Sequence, residues 1–226
     1  MIHEQVRSPR ARRHDANLGR ILDAATQVVA EGGLEALSMS KLAAAVDYTP
    51  GALYRYVESK DALLARLVER ILADVRADLV AAQAALSART GALARVGALV
   101  RTYRDFARRE PHRFGLLAVT MADPRVLLAD PAHAGTAAAA VIAALEPLAA
   151  VLTAAAAAGQ LAPGDAVERT LCLFTMLHGV LQLPKLARNA PQHLDIDRLA
   201  LAGTRALLVG WGASPRHVAR ALEELP

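Results

Sequence analysis

Residues 37–64 read LSMSKLAAAVDYTPGALYRYVESKDALL, and their spacing decides the fold. Ser38 is a good N-cap for a short helix whose buried face is Leu42, Ala43 and Val46, because its hydroxyl can accept from an otherwise unpaired first-turn N–H. Asp47-Tyr48-Thr49 breaks that pattern. Thr49 then caps a second short helix that opens on Pro50, where the missing N–H costs nothing, with Leu53 and Val57 facing inward. Ser59 caps a third helix and places Asp61 in its first turn, at the positive end of the helix dipole.

Upstream, Leu18, Ile21, Leu22, Ala25, Val28 and Val29 follow helical spacing until Gly32-Gly33, a pair that favours the left-handed conformation closing a helix. Downstream, Leu63, Leu64, Leu67, Val68, Ile71, Leu72, Val75 and Leu79 form one stripe of a long helix. Further helices are expected over residues 92–109, 111–120, 133–158, 166–188 and 195–211, with a short terminal one starting at Ser214-Pro215 and ending near Leu225. Pro147 is expected to kink or split the alanine-rich helix. No repeat of fixed period, strand or glycine-rich phosphate loop is legible.

Composition agrees with an all-α fold. Of 226 residues, 54% are hydrophobic and only 4% aromatic, and alanine and leucine supply most of the apolar surface. A mean hydropathy of +0.26 lies above that of solvated, disordered chains. The single cysteine, Cys172, excludes an intramolecular disulfide and a cysteine-rich zinc site. It lies in an apolar run and is expected to be buried. No stretch of about 18 uncharged apolar residues free of breakers is evident, the closest being 134–158, interrupted by Glu146-Pro147. A soluble cytoplasmic protein with no membrane partner is expected. The net charge of +4 permits nucleic-acid binding. Three of those charges sit where Arg7, Arg10, Arg12 and Arg13 oppose Glu4, so residues 1–15 read as a basic flexible arm able to neutralise phosphates or reach a minor groove.

Two short helices three residues apart, apolar only on their mutual faces, form a helix-turn-helix: the first braces and the second enters the major groove. The second must present small and polar residues outward, and Thr49, Pro50, Gly51, Ala52, Tyr54, Arg55 and Tyr56 do so. Gly51 and Ala52 permit close backbone approach, and the helix N-terminus can meet a phosphate. Three of the four tyrosines, Tyr48, Tyr54 and Tyr56, fall within nine residues. Tyrosine offers an apolar face to sugars or thymine methyls and a hydroxyl to phosphate oxygens. Arg55 carries a planar fork suited to the edge of a guanine, and Lys60 is the candidate phosphate clamp. The structural alternative packs Tyr48 in the turn and Tyr54 over the small core, leaving Arg55 and Lys60 solvated.

The order of helix, Gly-Gly, short helix and then TPGALYRYVESKDALL resembles the DNA-binding signature of the TetR (tetracycline-repressor) family over about residues 16–64. Asp47 stands where a turn glycine is usual and Val57 where phenylalanine is common; both departures are expected to loosen the small domain without removing a DNA contact. The resemblance implies that Ser38, Met39 and Ser40 approach the backbone from the bracing helix, that Thr49 to Tyr56 read the groove, and that Lys60 touches phosphate. It further implies a three-helix DNA-binding domain over 16–62 joined by a long helix to a helical ligand-binding and dimerisation domain over 63–226. The function so implied is sequence-specific transcriptional regulation, as a homodimeric repressor released from double-stranded operator DNA by a small, largely hydrophobic effector.

In that second domain the resemblance places a dimer interface on the two late apolar helices, with Leu171, Phe174, Leu177, Leu181, Leu201, Ala202, Leu208 and Val209 as candidates. The alternative is that these positions bury within one subunit. It also implies an apolar ligand cavity, for which Tyr103, Phe106, Phe114, Leu117, Thr120, Met121, Phe174, Met176 and His178 offer aromatic walls, adaptable sulfur and polar handles. The seven histidines show no metal-ligand spacing, and no nucleophile–base or paired-carboxylate arrangement is legible, so neither metal, cofactor nor catalysis is expected. The competing reading is a helical small-molecule-binding protein or enzyme whose basic N-terminal segment is incidental.

Overall fold

The structure, a computed structural model, describes residues 8–122, 130–190, 192 and 194–223, and every regular element among them is helical. In chain order these are α1 (Pro9–Ala36), α2 (Met39–Ala45), α3 (Pro50–Leu53), α4 (Lys60–Ala84), α5 (Ala92–Arg109), α6 (Pro111–Ala122), α7 (Pro131–Ala157), α8 (Ala166–Leu181), α9 (Pro184–Asn189), α10 (Ile196–Gly210) and α11 (Pro215–Glu223). They form two compact units, one from Met1–Ile71 with Glu110–Ala138 and the other from Leu72–Arg109 with Ala139–Pro226.

In the first unit α1 begins at Pro9, well before its apolar periodicity. The Ser8 hydroxyl accepts from Ala11 N at 3.2 Å and Pro9 occupies the first helical position, a cap-plus-proline start that hydrophobic spacing does not register. Arg10, Arg12 and Arg13 therefore project from a helix, in place of the flexible arm expected for this stretch; Arg7 lies outside the described residues. Gly33, at φ 70° and ψ −173°, interrupts the helix where the double glycine implies. Ile21, Ala25 and Val29 are buried, and α1 packs on α2 and α6.

The placement of α6 departs from the domain boundary read at residue 63. Its Phe114, Leu116 and Leu117 are buried in the unit that holds α1, because the amphipathic helix finds its apolar partner there. Helix α4 contributes to both units, its residues from Leu72 onward belonging to the second. All eight stripe positions of α4 named above are buried.

In the second unit α8 packs on α5 and α10, and α11 packs on α5 and α10. Pro147 neither splits nor ends α7, which runs through it. A proline at 147 leaves the Ala143 carbonyl without its usual helical donor. Arg76 supplies one, its Nε donating to Ala143 O at 3.0 Å while its guanidinium also pairs with Glu146 at 2.7 Å. Residues 166–188 are two helices, because Pro184 starts a new one after Leu181. Arg169 holds the loop before α8 to the end of α10: it donates to Ala162 O at 2.8 Å and its guanidinium carbon lies 5.5 Å from the centre of the Trp211 ring. Among the described residues α7 is the one helix long and apolar enough to cross a membrane by length and composition, although Glu146 sits within it.

Candidate functional site

Three consecutive side-chain caps build the polar surface of the first unit. Ser38 Oγ accepts from Lys41 N at 3.2 Å, Thr49 Oγ1 from Ala52 N at 3.2 Å, and Ser59 Oγ from Ala62 N at 2.9 Å. Such a cap contributes about 1 kcal/mol, so together they fix three helix starts within a short stretch of chain. The turn between α2 and α3 passes through Asp47 at φ 59°, the left-handed position where glycine is easiest. Helix α3 is a single turn, continued by Tyr54 N to Pro50 O at 3.2 Å and Val57 N to Leu53 O at 3.1 Å, and Leu53 beneath it has no exposed surface.

Over this apolar underside, Ser38, Ser40, Thr49, Pro50, Gly51, Tyr54, Arg55 and Lys60 are exposed, and Met39 and Ala52 are half-buried. Tyr54 stands out at 48% exposure, so it does not serve as a lid for the small core. The one carboxylate between Thr49 and Lys60, Glu58, lies with Oε1 3.4 Å from His133 Nε2.

Tyr56 is a different case. Its ring lies between those of His14 and Tyr48, at centroid distances of 5.0 and 5.6 Å, and its hydroxyl accepts from Asn17 Nδ2 at 3.0 Å. The Tyr48 phenol is raised above its ordinary range by its hydrogen bond with Tyr56 and by burial, against the opposing pull of Arg20 and Arg55. The Tyr56 phenol is lowered by Tyr48 and Asn17. Tyr56 is thus half-buried and engaged with α1, which makes it a brace more than an outward contact. Apolar spacing does not reveal the part played by His14 and Asn17. The Ser8-Pro9 start is the signal that places them on a helix.

The second unit holds an apolar cavity of about 40 Å³. Its walls are Leu72, Val75 and Leu79 of α4, Leu99, Val100 and Tyr103 of α5, Val141, Ala144, Leu145 and Leu148 of α7, and Leu173, Phe174 and Leu177 of α8. Beside it the Tyr103 hydroxyl and His178 Nδ1 share a buried hydrogen bond of 2.7 Å. Burial pushes His178 down to about 4 and Tyr103 above its ordinary range, so both are neutral at physiological pH.

Of the nine candidate ligand residues, Tyr103 and Phe174 line this cavity, and Phe106 and His178 stack on Tyr103. Met176 instead packs against Gly203 between α8 and α10. Phe114, Leu117, Thr120 and Met121 belong to the first unit, where Thr120 donates to Leu116 O at 2.7 Å and Met121 is exposed. The aliphatic wall escapes sequence reasoning because nothing distinguishes a cavity leucine from a core leucine in one sequence.

The candidate dimer residues also divide. Leu177, Leu181 and Leu208 are buried within the protomer, Leu177 in the cavity wall. Leu171 remains exposed, joined one turn earlier by Val167, which is not among the expected positions. On α10, Leu201, Ala202 and Val209 line an open groove with Arg198, Arg205 and Ala206. Cys172, expected to be buried, is exposed. Among the described residues no group of three or more His, Cys, Asp or Glu is placed to hold a metal.

Residues 21–67 match the family described as bacterial regulatory proteins, tetR family, and residues 96–207 match the tetracyclin repressor-like C-terminal domain. No curated protein matches the sequence. Among solved structures, RolR in complex with resorcinol superposes with a TM-score of 0.71 at 16% identity, covering 96% of this chain and 98% of that one. FadR from Bacillus subtilis in complex with stearoyl-CoA gives 0.64 at 18% identity over 85% and 98%. AibR in complex with isovaleryl coenzyme A and operator DNA gives 0.59 at 16% over 85% and 98%.

Proposed function

The chain belongs to the tetR family of bacterial regulatory proteins, and on that premise we propose that it is a homodimeric repressor that leaves its operator when a small, largely hydrophobic effector enters the second unit. The observation that carries the DNA half is the polar surface from Thr49 to Lys60, exposed over a buried Leu53 and capped at each helix start. Arg55 reads a base edge bidentately, Tyr54 meets sugar or phosphate, and Lys60, Ser38, Ser40 and the N-terminus of α3 hold the backbone, with Met39, Pro50, Gly51 and Ala52 allowing close approach. Tyr56 acts through its bracing of α1.

Dimerisation follows from geometry. One recognition helix binds weakly, and two fixed about one DNA turn apart bind a palindrome. The exposed Val167 and Leu171 of α8 with the groove of α10 are the surfaces we assign to it.

Release rests on the cavity. At about 40 Å³ it has room for a water or two, whereas a pocket for a drug-sized ligand occupies roughly 300–1,000 Å³. An effector that fits only when the walls part binds the expanded state better, and that difference is what shifts the equilibrium. Helix α4, which supplies Lys60 at one end and Leu72, Val75 and Leu79 at the other, is the element on which such a shift acts.

The test is competition. Protein incubated with a labelled duplex from upstream of its own coding sequence is expected to keep it against a hundred-fold excess of random duplex, with the preference weakening as salt rises. Equal displacement by random duplex would remove the reading.

A further inference from the structure

We infer that the first three turns of α1 are a phosphate-binding stripe that extends the DNA contact beyond the helix-turn-helix. The inference rests on the DNA-binding reading above and assigns it a second element.

Arg10, Arg13 and Arg20 are all exposed, and their spacing of three and seven residues puts them on one face of α1 together with Asn17. Asp15, the one carboxylate of those turns, falls on the opposite side, and Asp23, three residues beyond Arg20, pairs with Arg70. The arginine face is therefore kept apart from the one carboxylate of these turns. A solvated helix without a partner gains nothing from such separation, since neighbouring like charges three or four apart repel.

What aims the stripe is the ring stack. His14, at the edge of the arginine face, and Asn17, within it, are the residues that grip Tyr56, and Tyr56 stacks in turn on Tyr48 of the α2–α3 turn. Arg20 and Arg55 both lie close enough to Tyr48 for their charges to act on its phenol. The stripe thus starts beside the recognition turn. From Arg10 to Arg20 it extends about 15 Å along the helix, comparable with the axial rise of roughly four base pairs of duplex. Tyr48 and Tyr56 are accordingly spacers between two DNA-contacting elements, which accounts for tyrosines that are stacked inward although they flank α3.

The experiment measures affinity for one duplex, selected from a random pool by the wild-type protein, as a function of salt, for wild type and for Arg10→Ala, Arg13→Ala, Arg20→Ala and Arg12→Ala. Arg12 is exposed on the same helix but off the stripe, so it controls for removal of one positive charge. Each stripe substitution is expected to lower the slope of log affinity against log salt by roughly 0.9 for every phosphate it leaves unneutralised, hence about 1.8 for a dimer, with the selected sequence unchanged. Arg12→Ala should leave the slope at its wild-type value. Unchanged slopes in all three stripe variants, with wild type binding normally, would overturn the inference alone. Failure of wild type to select any sequence would overturn the DNA-binding reading and this inference with it.

Discussion

The surface of α2 and α3 and the cavity among α4, α5, α7 and α8 pose opposite problems. In the proposed function the first works by side chains that protrude, each bearing a distinct chemical group, within about two dozen consecutive residues. In that same proposal the second works by a space, walled by apolar groups from four helices. A surface that reads DNA must carry its chemistry outward on a stiff, well-capped support. A cavity that responds to an effector needs walls that pack alone and separate when filled.

Substitutions can break that contrast in turn. The largest effect is expected from Leu53→Ala, which empties the fully buried seat of α3: a drop of about 2–5 kcal/mol in urea unfolding, with DNA binding abolished through the support. Leu173→Ala, equally buried but in the cavity wall, is expected to destabilise by a similar amount of about 2–5 kcal/mol. It differs in being rescued: a small apolar probe such as benzene should raise the melting temperature of this variant and not that of Leu53→Ala, as follows if the second unit accommodates apolar guests. Equal behaviour of the two variants would erase the distinction.

Arg55→Ala is expected to cost about 1–3 kcal/mol of operator affinity and to relax preference at one base position, with unfolding unchanged. His178 offers a test by pH. Its folded-state value of about 4 lies below the ordinary histidine value of about 6.5, so the unfolded chain binds the extra proton more readily. The stability this represents is present above pH 6.5 and lost as pH falls toward 4. His178→Gln should flatten the dependence of melting temperature over that window. The smallest effect is expected from Asp47→Gly, where relief of the left-handed backbone should stabilise by no more than about 1 kcal/mol, read as a rise in the denaturation midpoint.

How much of the molecule is legible in its sequence follows from the same contrast. Ser38, Thr49 and Ser59 read as caps and act as caps, and Asp47, standing where a turn glycine is usual, takes the left-handed backbone a glycine there would take. Each is a local property, decided by a residue and its near neighbours. The long-range facts are not legible. Nothing in the sequence around Pro147 announces that Arg76, some seventy residues earlier, will satisfy the carbonyl the proline strands. Phe114 and Leu117 have the composition of a pocket wall, and only the packing of α6 on α1 assigns them to the first unit. Leu177 and Leu171 are one chemical type on one helix, yet one is buried and the other is at the surface. The start of α1 at Pro9 lies between these cases: Ser8-Pro9 carries a local signal, and the polar turns after it hide the helix from a reading based on apolar spacing.

In the proposed function, sequence reading by α3 runs through Arg55. Its most direct measurement is selection of duplexes from a random pool by the wild-type protein and by Arg55→Ala, side by side. Expected for wild type is a two-fold symmetric site, with a guanine in each half that the variant no longer distinguishes while the rest of the site persists. A wild-type protein that enriches no sequence, or a variant that enriches the same site with undiminished guanine preference, would contradict it.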